Sequence, residues 1–365
     1  MRIKTLSVLG LMCGLAAPAV SLAAVDISGF LTFAGTYGNN DGDVSYYNEM
    51  ANTDHPDFGT RMNHVGVQFY SALTDKVSAT IALTAEGGQY NYEVTPEWAY
   101  GTYQFNQDWS LRMGRYKGPF YMVSDYRDVG YAYPWVRPPE EVYSTNPIKS
   151  INGLDLVFQK TVSDVSYLLE IYGGSGQNTA LAPAIYGLTD PVEFETHNNI
   201  GFNAVIGTDA ISFRVGYYST DVHVPSFGID EESGTFAGLG LIVDWRNIVL
   251  YSEYVARNTD DTPALSQAFP DQNAWYVTLG YRFSTILPYV TYAKIDEGAD
   301  PSMFALKQTS TALGLRWDFD DAADIKFEVK QADPDVTPAF GKMGLFDNVM
   351  TDKGTIYTIT FDTIF

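Results

Sequence analysis

Few side chains in this 365-residue chain are spaced for bond-making chemistry. Its four histidines, His55, His64, His197 and His223, form no H-x-x-x-H or H-E-x-x-H pair, the spacing that sets two imidazoles on one helix face for a metal. His197 and His223 fall at or near strand ends, where a polar side chain is unremarkable. No G-x-S-x-G elbow or phosphate-cradling glycine loop occurs, and Gly173-Gly174-Ser175-Gly176 reads as loop chemistry capping a strand. Cys13 is the only cysteine, which leaves nothing to staple with disulfides and no thiolate metal site. The expectation is no metal, no cofactor and no enzyme.

The chemistry on offer is electrostatic. Lys326, Glu328 and Lys330 alternate with Ile325, Phe327 and Val329, so one face of that segment is ionic and the other oily. Arg316 and Asp318 alternate with Leu315 and Trp317, Arg282 with Tyr281 and Phe283, and Arg214 with Phe213 and Val215. A second group of charges stands in the long stretch 119–150: Asp125, Arg127, Asp128, Arg137, Glu140 and Glu141. They are interspersed with Tyr121, Tyr126, Tyr131, Tyr133, Trp135 and Tyr143 and stiffened by prolines. So long and aromatic a loop must pack against something. Arg127 and Arg137 either pair with the loop's own acids to pin it or face whatever passes.

The elements that position these charges read as strands. Segments of about ten alternating residues recur sixteen times, from 25–37 to 354–365, separated by turns or polar loops. Short turns at 74–75, 106–108, 161–164, 208–209, 246–247, 284–285 and 320–323 follow the even-numbered segments, and longer loops follow the odd-numbered ones. That rule predicts an all-β fold, a 16-stranded antiparallel up-and-down transmembrane β-barrel with turns at one rim and loops at the other. The ionic parity then faces the lumen, which a barrel of this size leaves aqueous, and the 119–150 loop folds inward onto the wall. A soluble β-sandwich or propeller accounts for the alternation but not for the turn rule.

The ends agree. Arg2 and Lys4, an apolar stretch and Ser21-Leu22-Ala23 read as a signal peptide over 1–23, leaving a barrel domain over 24–365. Beyond that leader no segment approaches the roughly 18 to 20 apolar residues of a membrane helix. The last strand carries Tyr357, Ile359, Phe361 and Phe365 on one face. The formal charge of −22 argues against nucleic acid as a partner, because phosphate neutralisation needs clustered Lys and Arg.

The leader, the sixteen strands, the long loop after the fifth and the terminal Phe together resemble the general diffusion porins of Gram-negative outer membranes. The resemblance implies an exported, multi-pass outer-membrane protein, a homotrimer, lipid and lipopolysaccharide as neighbours, and the barrel-assembly machinery in biogenesis, with Tyr357, Ile359, Phe361 and Phe365 as its assembly signal. It implies a water-filled channel for passive diffusion of small hydrophilic solutes and ions. Its constriction would be the third loop, with acids opposed to basic wall residues: Arg112, Arg115, Lys117, Arg214, Arg282, Arg316, Lys326 and Lys330. Locally, Gly114-Arg115-Tyr116-Lys117-Gly118-Pro119-Phe120 is similar to the G-x-[FY]-K-x-P-[FL] stretch of phosphate-type anion-selective porins, which implies that Arg115 and Lys117 lean into the channel. Ion preference stays open between that match and the acidic balance, and a non-conducting receptor or adhesin barrel is the remaining alternative.

Overall fold

A computed structural model describes residues 24–39, 45–47, 55–58, 61–87, 92–180, 192–260, 262, 265, 269–297, 306–337 and 341–365. The segment 1–23, read as a signal peptide, lies outside the described residues. Sixteen strands close into one antiparallel barrel. In chain order they are β1 (Val25–Asn39), β2 (His64–Ala72), β3 (Val77–Gly87), β4 (Tyr92–Gln104), β5 (Trp109–Lys117), β6 (Ser150–Val162), β7 (Val165–Ala180) and β8 (Val192–Gly207). Then come β9 (Ile211–Val224), β10 (Ile229–Trp245), β11 (Ile248–Thr259), β12 (Gln272–Tyr281), β13 (Ile286–Glu297), β14 (Gln308–Asp320), β15 (Ala323–Pro334) and β18 (Gly354–Ile364). Two short strands, β16 (Val336–Thr337) and β17 (Gly341–Lys342), form a small separate sheet in the last loop.

Each barrel strand pairs with its neighbour in sequence, and β18 closes the ring on β1 from Phe30 opposite Ile364 to Asn39 opposite Thr355. Gly29 and Phe365 then exchange backbone hydrogen bonds of 2.9 and 3.0 Å. Closure leaves no strand edge. Period-two alternation sorts the side chains. On β15 Asp324, Lys326, Glu328 and Lys330 are buried inside, while Phe327 and Val329 are exposed outside. Ile81, Ile171, Phe213, Leu239, Leu279 and Leu313 repeat that outward exposure around the ring. Such an outer face suits a bilayer, where the closed ladder satisfies every strand's backbone groups.

The turn rim matches the expectation: β6–β7, β10–β11 and β14–β15 are joined by two residues each, with Ser163 and Arg246 at φ 54° and 58°. The opposite rim differs at two connections. β4 resumes at Tyr92, five residues after β3 ends at Gly87, and β9 runs on to Val224 and returns as β10 at Ile229. The β9–β10 turn is the 3-10 helix Pro225–Phe227 followed by Gly228 at φ 70°. The polar stretch 222–234, between the strands expected over 210–221 and 235–245, reads as loop from the sequence. It is strand because a hairpin that projects past the apolar band meets water on its outer face and needs no oily residues to keep its ladder. For the same reason Gly173-Gly174-Ser175-Gly176 lies within β7, with the ladder shifting register between Gly174 and Gly176, and caps nothing.

The core of the molecule is inside the lumen. The loop 118–149 folds inward, and its Phe120, Tyr121, Val123, Tyr133, Trp135 and Tyr143 join the wall's Tyr172, Tyr218, Phe236 and Tyr276 in one buried cluster. Over the mouth, segments 45–47 and 345–347 are zipped by backbone bonds from Tyr47 to Leu345 (2.9 Å) and from Asp347 to Ser45 (3.0 Å). Tyr46 and Phe346 pack edge to face there. Leu313, near the middle of β14 and 63% exposed, tests the outward assignment. Leu313→Arg should cost about 2–4 kcal/mol of stability in a urea titration from lipid vesicles, whereas the same change in a soluble barrel would be close to neutral.

Candidate functional site

The inward loop is held by cations that the strand parity aims at it. On β9, Arg214 donates from Nη2 to the Pro119 carbonyl and from Nε to Asn203 Oδ1 at 2.7 Å. Glu253 on β11 lies 3.9 Å from the same guanidinium, and it accepts the Met122 N–H at 2.7 Å and the Tyr143 hydroxyl at 2.9 Å. On β14, Arg316 donates to the carbonyls of Tyr131 and Tyr133, both at 2.8 Å, and pairs with Asp318 and Asp324 at 2.7 and 3.0 Å. On β15, Lys326 donates to the Gly130 carbonyl at 2.5 Å and pairs with Asp362 at 3.1 Å. Lys330 pairs with Glu140 and with Glu141, the latter at 3.2 Å. Glu140 and Glu141 open the one-turn helix α1 (Glu140–Tyr143), which packs on β11, β12 and β13.

Two further details show how close the fit is. A Cβ on Gly130 would stand 1.9 Å from Asp362 Oδ1 and 2.6 Å from Thr32 Oγ1, so only glycine lets the loop reach β18 and β1 there. Trp135 donates from its indole to Thr278 Oγ1 at 2.8 Å and lies edge-on to Tyr251 and Tyr276. The loop thus covers the wall from β9 through β15 and β18 to β1.

The loop also meets β5–β8, where Tyr116, Ile151, Tyr172 and Phe194 join its buried cluster, and beside that contact stands a second polar group. Arg112 donates from Nη1 towards Asp155 and Glu170 at 3.1 and 3.3 Å and lies 5.7 Å from the centre of the Tyr100 ring. Asn203 donates to Glu170 at 2.6 Å, which joins this group through Arg214 to the base of the loop. Asp125, on the 3-10 turn Ser124–Tyr126, acts electrostatically on Arg112, Asp155 and Glu170. Arg112 points inward yet its side chain is 26% exposed, so water reaches this gap. Nearer β4, Lys117 bridges the loop's Asp128 and Glu97, the latter at 3.8 Å.

The sequence-derived residues therefore separate into groups. Arg214, Arg316, Lys326 and Lys330 are not a solvated wall: their side chains are 2%, 8%, 0% and 9% exposed, and they clamp the loop. Arg115 is corrected outright. It shares the outward parity of Met113, with Ala99 and Asn152 as its cross-strand neighbours, and its guanidinium donates to the Pro96 carbonyl at 2.8 Å. Arg112 and Arg115 are three apart, an odd spacing that puts them on opposite faces, whereas Lys117, the last residue of β5, departs from Arg115's parity to meet Glu97 and Asp128. Arg282 pairs with Asp244 at 2.9 and 3.1 Å near the turn rim. Arg137 lies 3.9 Å from Glu140, over the Tyr47 ring; Arg127 lies over Tyr143, and its carbonyl accepts the Tyr133 hydroxyl at 3.0 Å. Tyr121 stacks on Tyr143 and accepts the Asn146 N–H at 2.8 Å, and Tyr131 donates to the Asp321 carbonyl at 2.7 Å. Tyr357 and Ile359 face outward, as their alternation requires.

Sequence reading missed Asp155, Glu170, Asn203, Glu253 and Arg257. Arg257 donates to the Thr145 carbonyl at 2.7 Å and so fastens the loop's returning arm. The signal was there: each is a polar residue on the inward parity of its strand, as Lys326 is.

No protein-family model matches this chain, and no curated protein matches it in sequence. Solved structures do match its shape, and they define the class: the chain has the fold of the outer-membrane porins. An anion-selective porin from Comamonas acidovorans superposes with a TM-score of 0.63 at 13% identity, over 94% of this chain and all of its own. The outer membrane channel DcaP of Acinetobacter baumannii gives 0.62 at 13% over 94% of this chain and 97% of that one. OmpT, an outer-membrane protein of Vibrio cholerae, gives 0.59 at 10% over 95% and 99%.

The clamp has two measurable consequences. Lys326→Met leaves Asp324 and Asp362 buried without their ammonium and should lower stability by about 3–5 kcal/mol in urea, part of it recovered by adding Asp362→Asn. The second concerns pH. Burial alone would raise Glu141, but Lys330 and hydrogen bonds from Ser310 and Gln308 hold it below its ordinary 4.5. Asp128 is likewise held below 3.8, with Lys117 overcoming burial. Depressed carboxylates stabilise fully above their unfolded values, and that stability is lost as pH falls through the folded ones. The loop should stay docked above about pH 4.5 and loosen below about pH 4, read as a red shift of fluorescence that disappears in Trp135→Phe.

Proposed function

We propose that this protein is an outer-membrane porin, a water-filled channel through which small hydrophilic solutes and ions diffuse down their gradients. The observation that carries the reading is the partial filling of the lumen. The loop packs its aromatic residues and clamping cations against much of the wall, while Arg112 points inward and still meets water. A closed plug would leave no such solvated inner face. The outer-membrane location, export through cleavage of residues 1–23 and homotrimeric assembly belong to the same reading; one similar structure, an in-vitro folded OmpT of Vibrio cholerae, is described as a trimer form. Passage in place of catalysis also fits a lumen whose charges are occupied in ion pairs.

The channel we infer prefers cations. Beyond a Debye length of about 8 Å, outer-loop acids act weakly on the aperture, so its own charges decide. There Asp155 and Glu170 both pair with a single Arg112. The four clamping cations are neutralised against the loop. Of the two in the phosphate-type stretch, Arg115 faces out and Lys117 is bound by two acids.

Planar-bilayer recording of the purified protein tests this. Wild type should conduct, with a reversal potential displaced towards the cation side in a salt gradient. Glu170→Gln should shift it towards anions, and deletion of residues 125–140 should raise single-channel conductance. Unchanged conductance after that deletion in an assembled barrel would remove the loop from the pore, and a silent bilayer would favour a receptor or adhesin barrel.

A further inference from the structure

The β8–β9–β10 hairpins project past the apolar band, and their outer face gathers two of the four histidines with several acids. Glu195 stands opposite His223, and His197 opposite Asp221. The two imidazole rings lie 6.3 Å apart and nearly parallel, with 15° between planes. In a regular strand Asp230 and Glu231 would point to opposite faces. The ladder between β9 and β10 instead shifts register between Ile229 and Glu232, with Glu231 at φ 54°. That bulge turns both carboxylates to the same side. One ligand atom each from His223, Asp230 and Glu231 then falls within 4.8 Å of the others.

We propose that His223, Asp230 and Glu231 form a binding site for a divalent first-row transition cation of the Zn2+ type, on the projecting outer face of the barrel. One imidazole and two carboxylates suit such an ion better than Ca2+, which takes six to eight oxygens. His197 supports the set from behind. Its Nδ1 is in contact with Glu231 Oε1, and its Nε2 lies 3.4 Å from Glu195, so it orients Glu231 as metal-site partners commonly orient a ligating carboxylate. His223 is already directed at Asp230, with Nδ1 3.1 Å from Oδ1. Among the described residues no Lys or Arg pairs with Glu195, Asp230 or Glu231, so the negative charge there is left for a cation to offset.

Calorimetric titration of Zn2+ into the detergent-solubilised full-length protein, prepared without a histidine tag, tests the site at neutral pH. The expected result is one saturable site per chain. Its affinity falls at least tenfold in His223→Ala and in Glu231→Gln, stays unchanged in His55→Ala, and resists competition by millimolar Ca2+. Zn2+ binding that survives His223→Ala undiminished, Ca2+ competition on equal terms, or no saturable Zn2+ heat would each overturn the proposal. The second of these would mark an ordinary acidic surface.

Discussion

A buried cation must be paired, and this molecule buries four on the inner face of one half of its barrel. Arg214, Arg316, Lys326 and Lys330 cannot all be satisfied by strand neighbours, since the ladder consumes the backbone groups and only some inward carboxylates lie within reach. The loop supplies the remainder through the carbonyls of Pro119, Gly130, Tyr131 and Tyr133 and the carboxylates of Glu140 and Glu141. Withdrawing the loop would leave those charges with fewer partners while exposing a large aromatic surface. The hydrophobic effect and the pairing requirement therefore act in the same direction, and the loop's path follows from the wall's charges.

That arrangement also sets the field. Charges spent on holding the loop are neutralised where they stand, and in the proposed channel the aperture would take its character from what remains on β5 to β8. The chain Arg112–Glu170–Asn203–Arg214 connects the two. A change at the loop's base is thus transmitted to the aperture by three hydrogen-bonded contacts, so the clamp and the aperture form one polar network.

Strand parity made the barrel, its closure and the inward direction of Lys326, Lys330, Arg316 and Arg214 legible in the sequence, because a period of two needs only local information. The same rule separates Arg112 from Arg115; the motif likeness that put Arg115 in the channel overrode it. Partnership was not legible. Nothing local says that Lys326 meets Gly130 across the lumen, since that contact spans 196 residues and depends on the loop's path. Polar composition misled at 222–234, where a hairpin in water needs no apolar face. His197 and His223 looked unremarkable for a related reason: register brings them together, and register is a property of the pair of strands.

The central claim, that the clamped loop sets the passage, is tested most directly by chemical modification at Asp125. The one native cysteine, Cys13, lies in the leader proposed to be removed on export, so Asp125→Cys offers a single thiol in the exported protein. A bulky, positively charged methanethiosulfonate added during a bilayer recording should reduce the current of each channel in discrete steps and weaken its cation preference. Current and preference both unchanged after complete modification would contradict the account, because the loop's edge would then lie outside the path of the ions.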